Sequence, residues 1–342
     1  MPTLPLVSAV RRSLDTAGLL RPGVTVVSAL SGGPDSVALL DSLLKASKKK
    51  GVNVVAAHLD HAIRKDSRAD ALFCEELSDR LKVRLRSGRK APSSRNTKEG
   101  GLEEAARLAR YSFLRRVARE ENASAIVLGH TLDDQAETVL MRLLRGSGAL
   151  GLSAMKSWDG ELLRPLLDSR RSAVMAHLHA QRLPFRSDPT NTDTSFIRNR
   201  IRHELMPLLE GRFNPSVAEA LGRTAKTLAE DQLALSALAT QLLERAVTPA
   251  LRGPAYDITI LKTAPEGLVK TALRESLRRF GGLRSVSFVH IDRLWRMVEE
   301  GRGGATLPLP GGRTAAIQKG RLTLSGGQAT GAKDSRERPF LS

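Results

Sequence analysis

The sequence predicts an α/β protein: a doubly wound, Rossmann-like parallel sheet followed by a helical segment and a small α+β C-terminal domain. Three observations carry that prediction. From residue 24, short apolar runs alternate with stretches of helical period, and such alternation builds a parallel sheet with helices on both faces. After Pro165 the alternation gives way to long amphipathic helical patterns. Near the end, strand-like runs punctuated by Gly311-Gly312 and Gly320 read as a hairpin.

The elements follow in order. Residues 24–30 are apolar and β-branched and make the first strand; 31–36 (SGGPDS) is a loop, and 37–47 is a helix entered through Asp35 and Ser36, two good capping residues. Strand 52–58, helix 67–81, strand 83–85, helix 102–121, strand 125–129 and helix 133–145 continue the pattern. Segment 87–101 (SGRKAPSSRNTKEGG) is basic, rich in Ser and Gly, and has no apolar period, so it reads as a long loop. A loop of that length sits at the mouth of a site or is disordered. Helices 170–183 and 195–210 flank a turn at 187–191. Ser216, with Glu219 three residues on, opens a long Ala/Leu-rich helix over 216–247. Residues 249–254 read as a linker, 265–280 and 287–300 as helices, and the Gly/Ser/charge-rich 326–342 as a disordered tail. The domain limits expected from this pass are 1–212, 213–248, 249–325 and 326–342.

At 342 residues the chain has room for two or three domains. Its hydrophobic content of 41% is that of a soluble globular protein, and no apolar run reaches the roughly 18 residues of a membrane span. No membrane partner is expected. The N-terminus lacks the basic and then apolar order of a secretory signal, so a cytoplasmic location is the default. Net charge is +18, and residues 1–205 (34 basic, 23 acidic) and 206–342 (20 basic, 13 acidic) share the excess. A folded nucleic acid would be met by that distribution, as would a bias toward arginine in the genome. The single cysteine, Cys74, falls among Leu72, Phe73, Leu77 and Leu81 and reads as a small buried hydrophobe. One cysteine excludes intrachain disulfides, cysteine-based zinc sites and Cys-x-x-Cys chemistry.

Four clusters carry chemistry. In Ser31-Gly32-Gly33-Pro34-Asp35-Ser36, two glycines let the backbone approach an anion at a helix N-terminus. The usual nucleoside-triphosphate loop ends in Gly-Lys-Ser/Thr, and this one has no lysine. Asp35 stands instead, and a carboxylate beside phosphates points to a magnesium ion between them; a Gly-rich turn with a capping aspartate is the plainer reading. The second strand ends in His58-Leu59-Asp60-His61-Ala62-Ile63-Arg64, which lacks a third metal ligand at a familiar spacing and reads as a polar strand end facing a nucleotide.

After the fourth strand, His130, Asp134 and Glu137 fall within roughly 60° of one another on a helix. Ala136, Val139, Leu140, Leu143 and Leu144 line the opposite side, so the polar face is expected outside the core. Its acids suit magnesium or an ammonium group; the helix dipole by itself explains Asp133 and Asp134 but not Glu137. Arg107 and Arg110 share one helix face and form either a clamp on phosphate or a polarised base, or a solvated basic face. Arg198 and Arg202, at i and i+4, are either backbone-phosphate contacts or another solvated face.

The ordered set SGGPDS, HLDHAIR, EEAARLARY, LGHTLDDQAET, RLLRGSG, LLRPLL and DPTNTDTSFIRNRIRHELMP resembles the tRNA(Ile)-lysidine synthetase family across 24–210, and its first member resembles the ATP loop of the N-type ATP pyrophosphatase (PP-loop) superfamily. The resemblance implies a ligase that uses ATP to adenylate the wobble cytidine of the CAU anticodon of tRNA(Ile), releasing pyrophosphate, after which the ε-amine of L-lysine displaces AMP to leave lysidine. Reading of AUG changes to AUA. It further implies that Ser31, Gly32, Gly33, Pro34, Asp35, Ser36 and His58 bind ATP, with Asp35 near Mg2+. Arg110 then steadies charge on the base, His130 contacts ATP or the intermediate, and Asp134 and Glu137 receive lysine. Arg107, Arg198 and Arg202 face the tRNA. The likeness weakens from 216 onward, and 87–101 has no assigned contact. The sister tRNA thiolases need a thiol pair or an iron–sulfur cluster, which Cys74 alone cannot supply. The sequence leaves a homodimer open.

Overall fold

The computed structural model describes residues 5–60, 67–90, 94–186, 194–249 and 253–326. The chain divides into two compact units, one up to Thr227 and one from Leu228.

In the first unit α1 (Pro5–Thr16) precedes a βα alternation of β1 (Thr25–Ala29), α2 (Pro34–Ser47), β2 (Asn53–Asp60), α3 (Ser67–Leu81), β3 (Arg84–Arg89), α4 (Ser94–Glu120), β4 (Ala125–Val127) and α5 (Leu132–Leu144). A short α6 (Ala149–Leu152) leads to β5 (Leu162–Leu163) and α7 (Arg171–Gln181). The five strands are parallel in the order β3-β2-β1-β4-β5. Strand alternation sends Val26, Ala56 and Val127 to a core shared with α1, α2, α3 and α7. Val27, Val55, Ala57 and Ile126 point the other way, onto Phe113, Leu114 and Val117 of α4. The doubly wound expectation therefore holds. Because the order runs outward from β1 in both directions, the crevice between the carboxyl ends of β1 and β4 is the topological switch point, where such sheets bind ligands.

The rest of this unit is α8 (Ile197–Arg200), one π-helical turn (Ile201–Leu205), α9 (Met206–Arg212) and the start of α10 (Val217–Ala246). Ala136 and Leu140 of α5 pack on Ile201, Met206 and Ala218. In the second unit, Ala239, Leu242, Leu243 and Ala246 of α10 join a core with α12 (Glu266–Arg279), α13 (Phe288–Glu300) and an antiparallel sheet. That sheet has the order β6-β7-β10-β9-β8, from β6 (Val247–Thr248), β7 (Ala255–Asp257), β8 (Thr306–Leu309), β9 (Arg313–Gln318) and β10 (Arg321–Gly326); α11 (Ile258–Leu261) follows β7.

Four sequence expectations are corrected. The helix Pro5–Thr16, which buries Leu6, Val7, Val10 and Leu14 at helical spacing, was not anticipated. Segment 87–101 is largely regular: β3 runs to Arg89 and α4 begins at Ser94, with a kink at Gly101. The alternating arginines of β3 hid it, and charge on an edge strand is how sheets discourage further pairing. The 249–254 linker is bounded by paired strands, β6 on β7. The helix expected as a separate segment, 213–248, is divided between the two units. The turn at 187–191, residues His61, Ala62, Ile63 and Arg64, and the tail after Gly326 lie outside the described residues. Among the described residues, no helix is long and apolar enough to cross a membrane.

Arg313 ties the second unit together. Its guanidinium is buried and donates to the carbonyls of Pro310 (2.8 Å), Leu277 (3.2 Å) and Gly282 (2.7 Å). Truncation strands three acceptors that are buried or part-buried, so Arg313→Ala is expected to destabilise this unit by about 3 kcal/mol. The buried Trp295 reports it: in a Trp158→Phe background, which leaves one tryptophan, its urea midpoint should fall, and an unchanged midpoint refutes the tether.

Candidate active site

The Ser31–Ser36 loop leaves β1 through Leu30 and enters α2 at Pro34, whose fixed φ suits a first helical position. Gly32 has φ +83°, a conformation that favours glycine. The loop is braced internally: Ser31 N donates to Ser36 Oγ (3.2 Å), and Ser36 Oγ donates to Gly33 O (2.9 Å). Gly129, after β4, lies so near that a Cβ there would come within 2.9 Å of the Asp35 carbonyl oxygen. Glycine at 129 thus lets the two loops of the switch point touch.

Helix α5 starts in a capping box. Thr131 Oγ1 accepts from Asp134 N (3.4 Å), and Asp134 Oδ2 accepts from Thr131 N (2.9 Å). One oxygen of Asp134 is thereby spent on the helix end, and the other faces the site. Asp134 and Glu137 are 6% and 3% exposed, whereas Leu143 and Leu144 of the supposed core stripe are 54% and 63% exposed. The expectation that the polar face lies outside the core is therefore reversed for the acids.

What makes that burial tolerable is arginine. Arg198 donates to Asp134 Oδ1 through Nη2 and to Glu137 Oε2 through Nε, both at 3.0 Å. Arg202 donates to Glu137 Oε1 (2.6 Å) and Oε2 (2.9 Å) and to Asp134 Oδ1 (3.1 Å). The basic face of 198–202, expected to meet tRNA phosphate or solvent, is turned onto α5 instead. Ile201 and Met206 pack on Ala136 and Leu140, and this fixes that orientation. Burial tends to raise the Asp134 pKa, but Arg198, the Thr131 N–H, His130 and Arg171 overcome it and hold the group below the usual carboxylate range.

Asp35 behaves differently. Burial outweighs Arg171 and raises its pKa, with Asp134 adding like-charge repulsion. Arg171 Nη2 donates to Asp35 Oδ2 at 2.7 Å and lies 3.9 Å from Asp134 Oδ1. Neither Arg170 nor Arg171 was singled out in the sequence, although two cations where a helix dipole is positive are a visible anomaly. Asp133 Oδ2 accepts the Arg171 N–H (2.7 Å), and Arg170 bridges Asp133 (3.3 Å), Glu210 (2.7 Å) and Glu219 (3.3 Å). Helix α7 is held against α2 by His177 Nε2 on Asp41 Oδ2 (2.7 Å) and by Lys45 Nζ donating to Gln181 Oε1, while Lys45 also pairs with Asp41 within α2 (2.8 Å).

The other expected residues divide. His130 joins the group; burial first, then Arg164 and Arg110, lower its pKa to about 4 against the pull of Asp134, so it is neutral at pH 7. Arg110 lies near His130 and over the Tyr111 ring (5.8 Å), while Arg107 pairs with Glu104 (3.4 Å) on the exposed face of α4. His58 is set apart at the end of β2, with Nδ1 on Leu30 O (2.9 Å), beside a cleft of about 540 Å³ also lined by Asp60, Arg68 and Ser87. Cys74 is fully buried against His58, and burial pushes its thiol up to about 12.

Residues 8–209 match the PP-loop domain family, and 257–323 match the TilS substrate binding domain. The chain is 42% identical over 299 residues to a tRNA(Ile)-lysidine synthase of Geobacter sulfurreducens, covering 86% of this chain and 63% of that protein. It is 38% identical over 326 residues to the tRNA(Ile)-lysidine synthase of Thermobifida fusca, covering 93% and 96%. The U34-tRNA thiolase NcsA from Methanococcus maripaludis, with its [4Fe-4S] cluster, shares the fold at a TM-score of 0.54 and 18% identity, over 66% of this chain and 80% of that one.

The His130 shift has a testable sign. A folded value of about 4 lies below the ordinary 6.5, so this group's contribution to stability is complete above pH 6.5 and is lost as pH falls toward 4. Between pH 7 and 5 the loss is about 2 kcal/mol. His130→Gln, which cannot titrate, should lose correspondingly less in urea unfolding over that interval; an identical pH dependence in both proteins refutes the assignment.

Proposed function

The chain belongs to the tRNA(Ile)-lysidine synthase family, and from that premise we propose that it adenylates the wobble cytidine of the CAU anticodon of tRNA(Ile) with ATP and then joins L-lysine to it. Pyrophosphate leaves in the first step and AMP in the second. The observation that carries the reading is a lysine-free phosphate loop set against buried carboxylates at the ends of adjacent central strands. One crevice then offers an anion cradle and a receptor for an ammonium group.

In this reading Ser31 to Ser36 hold the phosphates against the first turn of α2, and the cleft beside His58 takes the nucleoside. Among the described residues, Asp35 Oδ1 is a buried acceptor with no hydrogen-bond partner, which fits Mg2+ carried in on the phosphates. Such an ion, when bound, offsets the charge of the phosphates. Asp134 and Glu137 take the ammonium groups of lysine. Lysine also brings a carboxylate, and Arg198 and Arg202 are forked donors able to turn to it, uncovering the acids as they do. One of those acids then takes the proton that the ε-amine must shed before it attacks. Neutral His130 and the nearby Arg110 face the base, where charge develops during adenylation.

Arg107, helix 213–248 and the domain over 249–325 form the tRNA footprint, with 1–212 as the catalytic domain, and the protein works in the cytoplasm. Sulfur transfer is disfavoured on chemical grounds, since it needs a reactive thiolate and the one cysteine is buried with its thiol at about 12.

The test is incubation with ATP, radiolabelled lysine and unmodified CAU-anticodon tRNA(Ile). Label should enter the tRNA with stoichiometric AMP and pyrophosphate; no incorporation, with ATP turnover driven by a thiol donor, would overturn the reading. Two variants separate the steps. Asp35→Ala should slow pyrophosphate release about a hundredfold, and full activity would remove Asp35 from the phosphate site. Glu137→Ala should leave pyrophosphate release near wild type while lysine incorporation falls at least about tenfold; a block at adenylation instead would show the acid acts in the earlier step.

A further inference from the structure

We propose that Arg171 is the cation the phosphate loop lacks: its guanidinium binds the β- and γ-phosphates of the nucleotide and then the departing pyrophosphate. The inference rests on the ATP-using reading above.

Residues 31–36 carry no positive side chain, and their one charged group, Asp35, repels a triphosphate. Beyond the Mg2+ that the phosphates carry in, any fixed cation must come from elsewhere in the fold. Arg171 Nη2 is 2.7 Å from Asp35 Oδ2, and the same nitrogen is 3.9 Å from Asp134 Oδ1, so it stands between the loop and the acids assigned to lysine. Its Nε is a buried donor with no hydrogen-bond partner among the described residues, and Oδ1 of the Asp35 with which Arg171 pairs is a buried acceptor with none. Buried polar atoms left unpaired on both sides of one ion pair call for a ligand. A phosphate oxygen would accept the Nε–H.

The contrast with Arg170 sharpens the assignment. Arg170 spends its guanidinium on Asp133, Glu210 and Glu219 and braces α7 and the helices after it. Arg171 has its backbone N–H capped by Asp133 and leaves its side chain to the loop. A cation in the first turn of a helix opposes the helix dipole, and an arriving anion relieves that opposition. The His177–Asp41 and Gln181–Lys45 contacts between α7 and α2 hold Arg171 in a fixed register with the phosphate loop.

The experiment measures binding of ATP, AMP and inorganic pyrophosphate to the full chain with Mg2+, for wild type, Arg171→Ala and Arg171→Lys. Arg171→Ala should weaken ATP and pyrophosphate about thirtyfold or more, with AMP changed by less than about threefold. Arg171→Lys restores the charge without the fork and should fall between; it also carries the test if the alanine variant does not fold. Equal weakening of AMP and pyrophosphate would mean that Arg171 only braces the loop, and unchanged pyrophosphate affinity would remove it from the phosphate site. Either result overturns the proposal while leaving the ATP-using reading in place, provided wild type binds ATP. A wild type that binds no ATP overturns both.

Discussion

A carboxylate withdrawn from water must find a cation, and that requirement organises this molecule around its crevice. Asp35, Asp134 and Glu137 are met by Arg171, Arg198 and Arg202. Asp134 and Glu137 each hold two arginines, whereas Asp35 is paired with Arg171, and removing that partner would leave a largely buried charge without its ion pair, which costs several kcal/mol. The start of α7 and the helical stretch 197–202 are therefore held where they are by charge as well as by apolar packing. The set is nearly neutral while each member remains strongly charged. Ligands bearing both signs can exchange partners with it without putting net charge into the interior.

Topology makes such a cluster possible. Parallel strands send their carboxyl ends to one edge, and the order β3-β2-β1-β4-β5 opens that edge between β1 and β4. The loop after β1 and the loop after β4 then meet at Gly129, where a side chain would strike the Asp35 backbone. From that single close approach the Ser31–Ser36 loop gains Asp134 and His130 as neighbours. Helix α5 serves both parts: its cap consumes one oxygen of Asp134, and its next turn presents Glu137.

Burial also assigns different characters to groups of the same type. Asp134 accepts from its helix cap and from arginines and stays below the ordinary range; Asp35 has one paired oxygen and one bare one and is pushed upward. Two aspartates on neighbouring loops thus differ in readiness for a metal ion or a proton. His130, beside them, is kept neutral.

The sequence by itself determined the local elements and their order. Alternation between strand and helix period specifies the doubly wound sheet, and SGGPDS and GHTLDDQAET mark the loops after β1 and β4, because turn chemistry and periodicity are properties of neighbouring residues. It misled where a rule about faces met tertiary contact. Leu143 and Leu144 looked like core and are exposed, while Asp134 and Glu137 looked like surface and are buried. The extension of the edge strand past residue 85 to Arg89 and the helix Pro5–Thr16 were missed because one is patterned to discourage pairing and the other lies before the alternation begins. Only the tertiary structure decided which arginine meets which acid. Arg198 and Arg202 lie 61 to 68 residues from their partners and Arg171 lies 136 from Asp35, and no local pattern encodes a pairing that arises when helices 197–202 and 171–181 dock beside the crevice.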